Sequence, residues 1–153
     1  IVAKMAEKMK ASYRLLHVPD QLSDESYATM MKEPAIKEVM SLISAADIVL
    51  HGIGVASVMA KRRDTPEEVL RKIEDHLAVG EAFGYYFDEH GALVHKVQTV
   101  GIQLEQITNA REIIAVAGGK SKAKAIRAYM NQIAPGHTTL ITDEAAANEL
   151  LKG

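Results

Sequence analysis

Two glycine-bearing loops hold the residues of this chain best suited to chemistry, Gly52-Ile53-Gly54 and Gly118-Gly119-Lys120-Ser121-Lys122. Each follows an apolar run, Ile48-Val49-Leu50-His51 in the first case and Glu112 to Ala117 in the second, that reads as a strand. In an open parallel sheet, ligands bind beyond the carboxyl ends of the strands, where loop amides and helix N-termini converge. Glycine lets the backbone approach an anion closely, and free N–H groups at a helix start carry partial positive charge. The chemistry such loops could do is phosphate binding. Either loop could equally be a plain tight turn, and spacing alone does not choose.

Two sharper motifs fail on their own terms. Gly119-Lys120-Ser121 has the ending of a nucleotide-binding P-loop, but the glycine that motif needs five positions earlier is Ile114. Gly52-Ile53-Gly54-Val55-Ala56-Ser57 echoes a dinucleotide fingerprint. Ser57 replaces its third glycine, and the acidic residue expected about 20 positions on is Arg71, so no nicotinamide cofactor is expected.

Around the loops stand charged residues that could complete a phosphosugar site. Lys61-Arg62-Arg63-Asp64 is a small basic cluster. A guanidinium fork matches a phosphate in bidentate fashion, so Arg62 is a candidate clamp, although a solvated charge run accounts for the cluster as well. Glu81 lies between Gly80 and Ala82-Phe83-Gly84, where small neighbours would let its carboxylate face a cavity and accept bonds from sugar hydroxyls. Without a ligand it is a loop glutamate. The six histidines form no metal pattern, no serine occupies a nucleophile elbow, and there is no cysteine to act as nucleophile, thiolate ligand or disulfide partner. No catalytic residue and no metal site are therefore assigned.

The elements that must position these residues alternate in type. Val2, Met5, Ala6 and Met9 repeat at helical spacing from the first residue, Ile1, so the chain opens in a helix and a preceding portion of the protein is expected. Tyr13 to Val18, closed by Pro19 and Asp20, reads as a buried strand. Ser23 caps a short helix to about Met31, and Pro34 opens another that ends near Ala46. Thr65-Pro66-Glu67-Glu68 combines a capping residue, proline at the first helical position and Glu three residues after the cap. It predicts a helix to about Leu77. Tyr85-Tyr86-Phe87, a turn at Asp88 to Gly91, and Leu93-Val94-His95 predict a β-hairpin. After the second glycine loop come a helix from Ser121 to about Gln132, a strand at Thr138 to Ile141, and a terminal helix capped by Thr142 or Asp143 and running to Leu151. The fold class is α/β, with a mostly parallel sheet and helices on both faces.

Composition supports one compact unit. With 153 residues, 48% hydrophobic, the chain can bury a true core. A net charge of −2 with 25% charged residues provides no basic footprint for nucleic acid, so any DNA contact is expected elsewhere in the parent polypeptide. No apolar run approaches the roughly 20 residues of a membrane span, and no signal-peptide order is present, so a cytoplasmic location without membrane contact is expected.

Taken together, Tyr13-Arg14-Leu15-Leu16, His51-Gly52-Ile53-Gly54, Arg62-Arg63-Asp64-Thr65-Pro66, Glu81-Ala82-Phe83-Gly84-Tyr85-Tyr86-Phe87, Val116-Ala117-Gly118-Gly119-Lys120-Ser121-Lys122-Ala123 and Thr142-Asp143-Glu144-Ala145-Ala146 resemble the SorC family of bacterial transcription regulators. The likeness extends over practically the whole chain. It implies a fold similar to ribose-5-phosphate isomerase and glucosamine-6-phosphate deaminase. It further implies that residues 1–153 are the C-terminal part of an effector-binding domain whose first part, with an N-terminal helix-turn-helix domain, lies outside this chain. The implied function is that of a repressor of glycolytic genes, homo-oligomeric as a dimer or higher on DNA, whose grip on operator DNA changes with fructose-1,6-bisphosphate or a related sugar phosphate. On matching positions Arg62 would hold a phosphate, Glu81 would take sugar hydroxyls, Lys122 would meet a phosphate at Gly118-Gly119, and Gly52 and Gly54 would shape the opposing wall. The alternative that the fold analogy leaves is a sugar-phosphate isomerase or deaminase with Glu81 as base.

Overall fold

The computed structural model describes residues 1–19 and 22–152. Three helices come first, α1 (Val2–Met9), α2 (Asp24–Met30) and α3 (Pro34–Ser44). The α2 start follows its sequence signal, since the Ser23 hydroxyl accepts the Ser26 N–H at 3.3 Å. In α3, proline occupies the first turn, where a missing N–H costs no helical bond.

Between α1 and α2 the expected strand over Tyr13–Val18 does not form. These residues have no regular structure, and Tyr13 and Leu15 are nearly half exposed. A strand exists only through a neighbour that takes its N–H and C=O groups, and no described strand runs alongside. Asp20, the expected stop signal, lies outside the described residues.

From β1 (Ile48–Gly52) onward the chain builds two sheets. The first is parallel, in the order β1-β6-β7, with β6 at Glu112–Val116 and β7 at Thr138–Ile141. The second is antiparallel, in the order β2-β3-β4-β5, formed by Gly54–Val55, Gly80–Ala82, Tyr85–Phe87 and Leu93–Lys96. Strands β4 and β5 are the expected hairpin. Its turn is fixed by the Asp88 carboxylate, which accepts the N–H groups of His90 and Ala92, both at 2.9 Å. Strand β3 is an addition to the sequence-based expectation, and it puts Glu81 in a strand instead of a loop.

Helices α4 (Ala56–Arg62) and α5 (Glu67–Asp75) pack on the antiparallel sheet, with Ala56, Ala60, Ile73 and Tyr86 forming a buried cluster. The expected threonine cap on α5 is replaced: the helix starts at Glu67 after Pro66 without a side-chain cap, and the Thr65 hydroxyl interacts with Tyr86. After β6, a 3₁₀ turn at Lys120–Lys122 leads into α6 (Ala123–Ala128) and a π-helical turn at Tyr129–Ile133. The last helix is α7 (Glu144–Leu150), capped by Asp143.

The main core joins the two sheets. Ile53, Ala82 and Phe87 meet Ala115 of the parallel sheet and Ala117 just after it, Ile126 and Tyr129 from the α6 segment, and Ala146 of α7. Full burial of each large side chain is worth about 1.5–3 kcal/mol. The opposite face of the parallel sheet carries Ile48, Leu50, Val116 and Ile141, which are 43–52% exposed. Alternation along each strand sends Val49, Ile113 and Ala115 into the core and these four residues outward.

Candidate functional site

The two glycine loops converge because β1 and β6 are adjacent and parallel. Gly52 pairs with Val116, so both strands release their loops at the same end of the sheet. A side chain then joins them. The Lys122 ammonium, presented by the 3₁₀ turn after the second loop, donates to the Ile53 carbonyl of the first at 2.9 Å. An ammonium has three N–H donors, so this contact leaves capacity for an anion.

The next residue, Gly54, opens β2 and pairs across the sheet with Glu81 of β3. A Cβ at Gly54 would strike the Met59 side chain and lie 3.4 Å from Glu81 Oε2, so a larger residue here has to displace Met59. Gly52 is less restricted, with its nearest neighbour, the Val116 carbonyl, at an ordinary 3.7 Å from a built Cβ. In the second loop Gly119 has φ +95°.

Glu81 is only 4% exposed. Its Oε1 accepts the Gly84 N–H at 2.7 Å and faces Arg63 Nη1 at 3.2 Å. The same Arg63 nitrogen donates to the Tyr86 hydroxyl at 3.3 Å. Burial pushes the Tyr86 phenol upward, while Arg63 pulls the other way. A buried carboxylate is costly to leave unpaired, and here a guanidinium and a backbone amide compensate it.

Of the expected site residues, Glu81, Gly54 and Lys122 meet around Ile53-Gly54, with Gly52, Gly118 and Gly119 on the flanking loop segments. Arg62 sits exposed in the last turn of α4, and the guanidinium that reaches Glu81 is that of its neighbour Arg63. Sequence reasoning missed Arg63 because it missed α4. Once that helix is known, Arg63 falls three and seven residues after the buried Ala60 and Ala56, on the same face.

His51 is a second missed residue. It is the penultimate residue of β1, on the core side, and its ring lies 4.5 Å from that of Phe83 and 5.2 Å from that of Tyr129. Nδ1 is 3.1 Å from the Gly52 carbonyl, which can only accept, so Nδ1 carries the proton. Nε2 then accepts the Tyr129 hydroxyl at 3.1 Å. Burial lowers the His51 pKa, against the opposing effect of the Gly52 carbonyl, and pushes the Tyr129 phenol up, so both groups are neutral near pH 7.

Among the described residues, no group of histidine, aspartate and glutamate is placed to hold a metal ion, and no helix is long and apolar enough to cross a membrane. A surface hollow bounded by Glu67, Arg71, Asp75 and His76 is a charged face of α5 and contains none of the site residues.

Comparison with known proteins bears on the arrangement as a whole. A family model described as a sugar-binding domain matches residues 1–152. The chain belongs to that family. This sugar-binding domain is 58% identical over 152 residues to the central glycolytic genes regulator of Priestia megaterium and 54% identical to that of Bacillus subtilis, covering 99% of this chain and 44% of each regulator. It thus spans less than half the length of these relatives. In three dimensions the sugar-binding domain is similar to a SorC family transcriptional regulator from Enterococcus faecalis, with a TM-score of 0.89 and 50% identity over 97% of this chain and 60% of that one. The resemblance read from the glycine and basic motifs is therefore correct at the level of the family.

Proposed function

We propose that this sugar-binding domain is the sensor part of a bacterial transcription repressor of glycolytic genes, and that its ligand is fructose-1,6-bisphosphate or a related sugar phosphate. The observation that carries the reading is the convergence of Lys122 and Glu81 on two consecutive residues, Ile53 and Gly54. A cation suited to phosphate and a carboxylate suited to hydroxyls there flank a wall of backbone. Gly52, Gly54, Gly118 and Gly119 form the loops, Lys122 meets a phosphate, and Arg62, exposed at the end of α4, swings to a second phosphate. Glu81 takes sugar hydroxyls while Arg63 fixes its position.

The role is sensing, not catalysis. Glu81 is engaged by Arg63 and Gly84, an arrangement that suits a fixed acceptor better than a mobile base. Operator DNA is bound by a helix-turn-helix domain elsewhere in the parent chain, which works in the cytoplasm as a dimer or higher oligomer. Residues 1–153 form the C-terminal part of the effector domain. The outward apolar row of Ile48, Leu50, Val116 and Ile141 supports further chain packing on the parallel sheet, since parallel sheets are ordinarily covered on both faces. Ligand binding then shifts the balance between assemblies with different grips on DNA, which requires a different ligand affinity in each.

Calorimetry on the full-length protein tests the reading. Fructose-1,6-bisphosphate binds the wild type, and Arg62→Ala or Lys122→Ala weakens it by roughly ten- to a hundredfold, as expected for charge-assisted bonds of about 1.5–3 kcal/mol. Unchanged affinity in both variants removes these residues from the site. Turnover of ribose-5-phosphate or glucosamine-6-phosphate would overturn the non-catalytic role.

A further inference from the structure

The second glycine loop is gripped from the side by α7. Ala117 donates its N–H to the Ile141 carbonyl at 3.1 Å, extending the β6–β7 pairing to the edge of the loop. One step further, the Asp143 carboxylate reaches the loop itself. Its Oδ1 caps α7 by accepting the Ala146 N–H at 2.8 Å, and its Oδ2 stands 2.5 Å from where a Cβ on Gly118 would be. The carboxylate thus lies against the Gly118-Gly119 backbone, and the Gly119 amide is the first of the groups that hold its pKa below the usual carboxylate range. Any side chain at position 118 would drive it away. At its far end, α7 holds the loop again, with Glu149 3.7 Å from the Lys120 ammonium.

The Gly119 amide is one of the groups that the proposed function aims at a phosphate, and here it faces an anion of the protein's own. A carboxylate presents two oxygens and a full negative charge, one oxygen to the cap of α7 and the other to the loop, where an uncharged capping residue presents one acceptor oxygen and no charge. A phosphate arriving at the same N–H brings close to two negative charges against Asp143. Each unit of that charge at about 4 Å in a water-like medium repels enough to change affinity by about fivefold.

We infer that Asp143 is an internal anion that occupies the Gly118-Gly119 loop in the free protein and competes there with the ligand's phosphate, so that ligand binding loosens the grip of α7 on that loop. This rests on the reading that a phosphate docks at that loop. It adds a residue that sets affinity without contributing attraction, and it assigns α7 as the element that responds to occupancy. The direction of the coupling follows: with the ligand bound, Asp143 keeps its bond to Ala146 and gives up its place beside Gly119.

The test uses the full-length protein with Asp143→Asn and Asp143→Ser. Asparagine and serine are as good at a helix N-cap as aspartate, so a purely structural role predicts no change in affinity for either. Calorimetry with fructose-1,6-bisphosphate, and with inorganic phosphate as the minimal probe, is expected to give at least about fivefold tighter binding in both variants. Amide exchange at Gly119 in the ligand-free protein is expected to be faster than in the wild type. Equal or weaker binding by both variants, with a wild type that binds, overturns this inference and leaves the proposed function standing. A wild type that binds neither probe overturns both.

Discussion

The Lys122 ammonium lies 2.9 Å from the Ile53 carbonyl, a bond that crosses 69 positions of sequence and ties one glycine loop to the other. Neither loop is held by its own residues alone: the β1–β6 pairing brings them side by side, and the lysine side chain ties them together. The same ammonium is the group proposed to meet phosphate, so the loop geometry and the ligand share one residue.

Replacing Lys122 by methionine keeps the length of the side chain and removes the donor. The expected result in the free protein is faster amide exchange over Ile53 to Val55, by about tenfold for a lost charged hydrogen bond of about 1.5 kcal/mol. Native-state exchange followed by NMR checks this, and unchanged rates would show that the loops are spaced by packing alone.

Glu81→Ala is expected to be among the more damaging single changes. It takes one carboxylate partner from Arg63, which keeps its bond to Tyr86, and leaves the Gly84 N–H without an acceptor. Breaking a buried pair from one side costs about 3–5 kcal/mol, or roughly 10 °C in Tm for a domain of this size. Thermal unfolding measures it, and Glu81→Gln, which retains an acceptor for Gly84, should lose less.

His51 makes stability depend on pH. Its folded pKa is lowered from 6.5 by burial, so near and below that value the unfolded chain binds more protons than the folded one. The contribution of the neutral ring is fully present above the unfolded pKa and is lost as pH falls through that value towards the folded one. Urea midpoints at pH 7.5 and pH 5.5 should therefore differ, with the lower pH less stable, and His51→Gln should reduce the difference. His95, also lowered by burial, contributes in the same direction and accounts for part of what remains.

The outward apolar face provides a test of domain organisation. Leu50 and Ile141 are 47% and 52% exposed, so Leu50→Lys with Ile141→Lys should change the stability of residues 1–153 by less than about 1 kcal/mol. In the full-length protein the same pair should cost several kcal/mol, because two charges would enter a covered interface. Equal effects in both, measured by denaturant unfolding, would argue against additional chain on this face.

Much of the fold was legible because local signals are strong where the chain changes direction. Ser23 capping α2, Pro34 opening α3, the Asp88–Gly91 turn of the hairpin, and Asp143 at the start of α7 each act within four residues. The apolar runs of β1 and β6 likewise announce strands, and the loops that follow are glycine-rich in the order that marks the family. What failed was less local. Tyr13–Val18 has the composition of a strand but no described neighbour, and β3 is so short that glycine and alanine hide it.

The sequence by itself determined the α/β class, the two glycine loops, Glu81 as a candidate and the family whose resemblance points to Lys122, because each depends on residue type, near-neighbour spacing and the order of short motifs. Only the tertiary structure decided that Arg63, not Arg62, reaches Glu81, that Lys122 bridges to Ile53, and that Asp143 faces Gly118. The reason is geometric. A helix turns by about 100° per residue, so adjacent arginines face different surroundings once α4 is seated on the sheet. Contacts across 69 positions exist only after β1, β6 and β7 have aligned their carboxyl ends.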